Sequence, residues 1–168
     1  MVRDSEQEFL QLINEHKGIL HKVSRMYMHA EADREDLYQE IILQLWQSYG
    51  SFNGQSRFST WLYRVAVNTA ITYFKKDRRR PDVSFGDSLP DVKAEGVEPI
   101  KEWQLVVFYH AVQLLNPIEK ALIFYFMEGL SHKDIAANLG ISEVNTRVKL
   151  NRTKEKLQQL IKKQGYEF

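Results

Sequence analysis

Apolar residues recur every three to four positions along almost the whole chain, and no stretch alternates with the two-residue period of a strand. That pattern predicts an all-α fold. The one long interruption, Pro81 to Pro99, holds three prolines, two glycines and no helical period. Such a segment has too little apolar surface to fold alone and reads as a flexible linker. The expected organisation is two small helical domains, 1–80 and 101–168, joined by an acidic linker at 81–100.

Within the first block, Ser5-Glu6-Gln7-Glu8 has the form of a capping box, and Phe9, Ile13, Leu20, Val23 and Tyr27 follow one helical stripe with Gly18 as a bend. Asp33 is placed to cap a second helix whose face carries Leu37, Ile41 and Leu45 beside Ile42 and Trp46. After a polar loop at Ser51–Ser59, a third helix, Thr60–Lys76, is apolar almost all round and should be largely buried. In the second block, Asn116-Pro117 with Glu119 signals a helix start. Ser131 and Ser142 are further caps, and Gly129 and Gly140 are stops.

Charge is distributed unevenly. The net charge is only +1, but two mildly basic blocks flank the acidic linker. Positive residues gather at Lys75-Lys76-Asp77-Arg78-Arg79-Arg80 and again at Arg147, Lys149, Arg152, Lys154 and Lys156. Two such clusters suit a polyanionic partner. There are no cysteines, which excludes a disulfide framework and thiolate metal sites. The longest apolar run, Ala121–Met127, is far shorter than the roughly 20 residues of a membrane helix. With no signal-peptide core after Met1, the expectation is an intracellular protein with no direct membrane insertion.

The most informative stretch is Glu128 to Leu150. An eight-residue helix, a turn at Gly140 and a second capped helix make a helix-turn-helix, with the small Ala136 where the helices cross. On the second helix, Thr146, Leu150, Thr153 and Leu157 should face inward. That leaves Asn145, Arg147, Lys149, Asn151 and Arg152, with the cap Ser142, on the side offered to DNA. Arginine and lysine pair with guanine edges or phosphate, and asparagine with adenine edges. Glu119–Leu157 taken alone is also similar to the C-terminal domain of LuxR- and NarL-type regulators, so a stand-alone transcriptional regulator stays open at this point.

The N-terminal block carries Asp33-Arg-Glu-Asp-Leu-Tyr-Gln-Glu-Ile-Ile-Leu-Gln-Leu-Trp46, then Phe58-Ser-Thr-Trp-Leu-Tyr-Arg-Val-Ala-Val-Asn68 running on to the arginines before the linker. These segments resemble region two of the extracytoplasmic-function (ECF, group 4) sigma factors of the sigma-70 family, and the C-terminal block resembles their region four. Region three is missing, as in that group. The resemblance departs at Thr146, where the family often has valine, at Asn151, where histidine is common, and at Thr72, where aspartate is usual. These departures bear on which promoter sequence is read.

The resemblance implies a bacterial, cytoplasmic subunit of RNA polymerase that recognises promoters and promotes melting. Asp36, Leu37, Gln39, Glu40, Leu43 and Trp46 would bind core RNA polymerase at the clamp helices of its largest subunit. The C-terminal domain would meet the flap of the second-largest subunit. For minus-10 DNA it implies Asn53, Gln55, Phe58, Trp61, Arg64, Asn68, Lys75 and Lys76, with a flipped base held by the loop. For minus-35 DNA it implies Ser142, Asn145, Arg147, Lys149, Asn151 and Arg152. An anti-sigma factor is the further implied partner. No enzyme signature competes: the five histidines are scattered, the acidic residues at 31–40 surround a helix start, and no phosphate-binding glycine loop occurs. No cofactor, metal or catalysis of its own is expected.

Overall fold

The computed structural model describes residues 2–77 and 99–165, all of whose regular elements are helical. Contacts divide the chain into two compact units, Met1–Arg79 and Arg80–Phe168. Arg78–Arg80 and nearly all of the acidic segment lie outside the described residues. Its last two positions do not behave as a linker: Pro99 and Ile100 already belong to a helix, consistent with the tolerance of proline in a first turn.

The first unit is a three-helix bundle of α1 (Val2–Tyr27), α2 (Glu31–Ser48) and α3 (Phe58–Asp77), with a 3-10 turn at Tyr49–Ser51. Each helix packs on the other two. The stripe read from the sequence of α1 is buried throughout, joined by Met26, and Leu37, Ile41 and Leu45 meet it from α2. From α3 come Leu62, Ala66, Val67 and Ala70, all fully buried. Gly18 makes no break, and Ser5 lies inside α1 because the helix already starts at Val2.

The start of α2 also differs from expectation. Asp33 is in its first turn, while the cap position is Ala30, which offers no side-chain hydrogen bond. Glu31 and Asp33 serve instead as charges against the helix dipole. The turn before α2 is fixed by Arg34, whose Nε donates to the Met28 carbonyl at 3.1 Å and whose Nη2 donates to the His29 carbonyl at 2.7 Å. A cation is thereby placed on carbonyls just past the end of α1.

The second unit contains α4 (Pro99–Gln113), α5 (Pro117–Met127), α6 (His132–Leu139) and α7 (Glu143–Lys163). Helix α7 packs against the other three. Its buried face is Thr146, Leu150, Thr153 and Leu157, as the spacing predicts. The core is completed by Val107, Ala111, Ala121–Tyr125 and Ile135. Local chemistry agrees with the sequence at three helix starts. Asn116 and Glu119 form the reciprocal capping box, Ser131 accepts from the Asp134 amide at 3.1 Å, and Ser142 accepts from the Asn145 amide at 3.1 Å.

Candidate functional site

The helix-turn-helix rests on a left-handed stop. Gly140 has φ 68°, and the Ile141 amide donates back to the Ala136 carbonyl at 3.2 Å, the reversal that ends a helix in this way. Ala136 is buried, so the small side chain sits where α6 and α7 approach. A Cβ at Gly140 would meet nothing within 4 Å, so the cost of substitution is conformational. Gly140→Asn should cost least, Gly140→Ala about 1 kcal/mol and Gly140→Val about 2 kcal/mol, measured by thermal unfolding.

Along α7, Asn145, Arg147, Lys149, Asn151 and Arg152 are all exposed, as is the cap Ser142. Two other members of the basic cluster are engaged within the protein. Lys156 Nζ is 3.0 Å from Glu119 Oε1, and Lys154 Nζ stands 3.6 Å from the centre of the Phe126 ring. The outward cationic surface is therefore Arg147, Lys149 and Arg152. Thr146 is fully buried and its hydroxyl donates to the Ser142 carbonyl at 3.0 Å. The valine-to-threonine departure is thus a near-isosteric core change with its polar group satisfied, and it does not alter the exposed face of α7.

On α2 the exposed stripe is Asp36, Gln39, Leu43 and Trp46, with Glu40 half-buried at its edge. It is turned away from the buried Leu37, Ile41 and Leu45. Leu37 therefore does not join this surface: it is 0% exposed, and a side chain so buried supports the stripe from beneath. Leu43 and Trp46 remain 46% and 40% exposed, large apolar groups beside carboxylate and amide. The Trp46 ring is held at 5.0 Å from Phe9 and stacks on Tyr49 at 6.5 Å.

After α2 the chain turns through a loop built on aromatic rings. Phe52, Phe58 and Trp61 form a mutual triplet with centroids 5.3–5.7 Å apart, and Tyr49 lies 6.5 Å from Phe58 and 6.4 Å from Trp61. Glu8 reaches this group from α1, with its carboxylate on the same concavity as Tyr49. Burial raises the Tyr49 pKa above its usual value, and the Glu8 carboxylate pushes it the same way, so the phenol stays protonated at neutral pH. The sequence pointed to Phe58 and Trp61 as the wall but not to Phe9 and Tyr49, whose rings meet through tertiary packing.

These rings border a concavity of about 780 Å³ whose lining includes Trp46, Tyr49, Phe52, Gly54 and Phe58. Phe58 lines it, whereas Trp61 is half-buried behind Phe52. Asn53 and Gln55 are exposed in the loop; the Asn53 side-chain Oδ1 accepts from the Gln55 backbone N–H at 3.1 Å and shapes the turn at Gly54. Arg64, Asn68 and Lys75 share one exposed line of α3, with Lys76 beside it. Asn68 and Lys76 also border a groove of about 280 Å³ with Glu40, Gln44 and Thr72. No group of acidic or histidine residues among the described residues is arranged to hold a metal ion.

Residues 12–80 match the family model for Sigma-70 region 2, and residues 105–157 match that for Sigma-70, region 4. The ECF RNA polymerase sigma-E factor of Escherichia coli is 30% identical over 161 residues, covering 85% of this chain and 84% of that protein. The chain belongs to the ECF sigma factors. The ECF sigma-E factor of Haemophilus influenzae is 32% identical, with 77% of this chain and 75% of that protein covered. The ECF sigma factor SigG of Mycobacterium tuberculosis is 31% identical, and there the chain spans only 41% of the relative's length. Among solved structures, RpoE in complex with the anti-sigma factor NepR from Bartonella quintana has a TM-score of 0.71 at 23% identity, covering 95% of this chain and 98% of that one. CnrH in complex with the cytosolic domain of CnrY has a TM-score of 0.65 at 20% identity, with coverage of 94% and 89%. These two share the fold. For this ECF sigma factor the region 2 match accounts for the N-terminal helices, and the stand-alone LuxR-type reading loses its ground.

Proposed function

We propose that the chain binds core RNA polymerase, selects promoters through minus-10 and minus-35 elements and promotes opening of the duplex. One observation carries the reading: matches to Sigma-70 region 2 and to region 4 occur in order on one chain. Two domains, with the linker shortened to 81–98 by the early start of α4, let the two faces act on separate elements of one promoter.

In this reading the stripe Asp36, Gln39, Glu40, Leu43 and Trp46 docks on the clamp helices of the largest subunit. Carboxylate and amide beside an apolar seam suit a helix laid on a coiled coil. The second unit meets the flap of the second-largest subunit. Phe58 and the rings behind it offer an apolar wall to an extruded base, Asn53 and Gln55 supply polar groups for its edge, and Trp61 stiffens the wall. Arg64, Asn68, Lys75 and Lys76 track the strand. Capture of unstacked bases offsets the cost of melting, while the polymerase performs the chemistry. Ser142, Asn145, Arg147, Lys149, Asn151 and Arg152 take the minus-35 duplex. The complexes of RpoE with NepR and of CnrH with CnrY support an anti-sigma factor as a further partner. No described helix is long and apolar enough to cross a membrane. A subunit of bacterial RNA polymerase would act in the cytoplasm.

The test is size-exclusion chromatography with core RNA polymerase. The wild-type chain should co-elute, and an Asp36→Arg/Gln39→Ala double variant should not. Failure of the folded wild-type chain to co-elute would overturn the reading, and co-elution of both would discard the docking face. Upstream-duplex binding by the holoenzyme should also weaken with salt. Arg147→Ala should reduce the slope of log affinity against log salt by about 0.9, the share of one phosphate contact. An unchanged slope would remove Arg147 from the interface.

A further inference from the structure

The face of α7 turned toward DNA has an apolar crest. Val144 is 70% exposed and Val148 is 40% exposed. At about 100° per residue, the line opposite the buried Thr146, Leu150, Thr153 and Leu157 runs through Val144, Val148, Asn151 and Glu155. Arg147 falls on one flank of that line, and Asn145, Arg152 and Lys149 fall on the other. Valine is a weak helix former, so two exposed valines in one helix cost stability without the return of packing.

A recognition helix in the major groove puts its crest against base edges and its flanks against the phosphate walls. The flanks here hold the cations, which suits phosphate. The apolar group that the major groove offers to a crest of valines is the C5-methyl of thymine. Glu155 ends the crest with a negative charge, which confines close contact to the first half of the helix. We infer that Val144 and Val148 read thymine methyl groups in the upstream element. Four residues of helix span about 6 Å, close to two base steps of 3.4 Å, so the two thymines lie about two steps apart. This inference rests on the proposed promoter-binding role and adds what the second unit selects.

The test uses holoenzyme assembled from the full chain and core polymerase, with a duplex pool randomised over the upstream element. Selection should return thymine at two positions about two steps apart. In the selected duplex, replacing either thymine by deoxyuridine removes only the methyl and should weaken wild-type binding about fourfold, the worth of one buried methyl group. Val144→Ala should abolish the penalty at one position, and Val148→Ala at the other. Alanine favours helix at both sites, so folding does not confound the comparison. Selection without thymine, or a deoxyuridine penalty unchanged in both variants, overturns the inference while leaving promoter binding intact. A holoenzyme that selects no duplex overturns the promoter-binding role as well.

Discussion

Leu37→Ala should destabilise the first unit by about 2–5 kcal/mol and lower its melting temperature by roughly 10–20 °C. The side chain is fully buried beside Ile41 and Leu45 and faces the core stripe of α1, so truncation leaves a cavity in a small bundle with little reserve. Asp36→Ala, one residue away on the exposed side, should change stability by no more than about 0.5 kcal/mol. Both variants should lose retention on core polymerase at 37 °C, for different reasons. Cooling should restore the Leu37 variant, because lower temperature refolds the bundle, and should leave the Asp36 variant deficient. Hydrogen exchange of the α1–α3 amides read beside co-elution separates the two. A Leu37→Ala protein that melts normally yet fails to bind polymerase would return Leu37 to the contact surface.

Leu150→Ala should have the corresponding effect on the second unit, again about 2–5 kcal/mol. Leu150 is fully buried at the centre of the inward face of α7, between Thr146 and Thr153. Loss of its contacts loosens the seat of α7, and recognition of the upstream duplex should vanish at 37 °C and recover on cooling. Arg152→Ala, on the exposed side of the same helix, should weaken duplex binding at every temperature and leave unfolding of the unit unchanged. Temperature-dependent electrophoretic mobility shifts with the holoenzyme distinguish these patterns. Equal melting of wild type and Leu150→Ala would show that α7 is held chiefly by other residues.

Much of this was legible in the sequence because local chemistry and long-range packing agreed. Asn116 with Glu119, Ser131, Ser142 and Gly140 each form the cap or stop that their identities suggest, and the inward face of α7 follows from spacing alone. The sequence misled where a tertiary contact replaced a local one. Ser5 has the chemistry of a cap but sits inside α1, and Asp33 lost the cap position to Ala30 once Arg34 fixed the preceding turn. Leu37 was drawn into the docking surface by its neighbours in the motif, although its place on the core stripe was visible in the spacing. The aromatic wall was half legible: Phe58 and Trp61 are near neighbours in sequence, but Phe9 reaches Trp46 and Tyr49 from another helix. The valine crest carries no charge or amide, so the polar pattern of α7 does not mark it.

The inward turn of Arg34 has a consequence for the rate at which a partner arrives. Its guanidinium donates to the Met28 and His29 carbonyls past the end of α1, which fixes where its charge stands. Glu31, Glu35 and Asp36 are exposed on the same turns of α2 and line one concavity with Arg25 and Arg34. The carboxylates of Glu31, Asp33, Glu35 and Asp36 outnumber Arg25 and Arg34, so the leading end of α2 is net acidic. A basic patch on an approaching protein is steered by that charge before any contact forms. In the proposed docking, electrostatics at this end of α2 governs encounter, and the apolar groups Leu43 and Trp46 further along the helix govern residence.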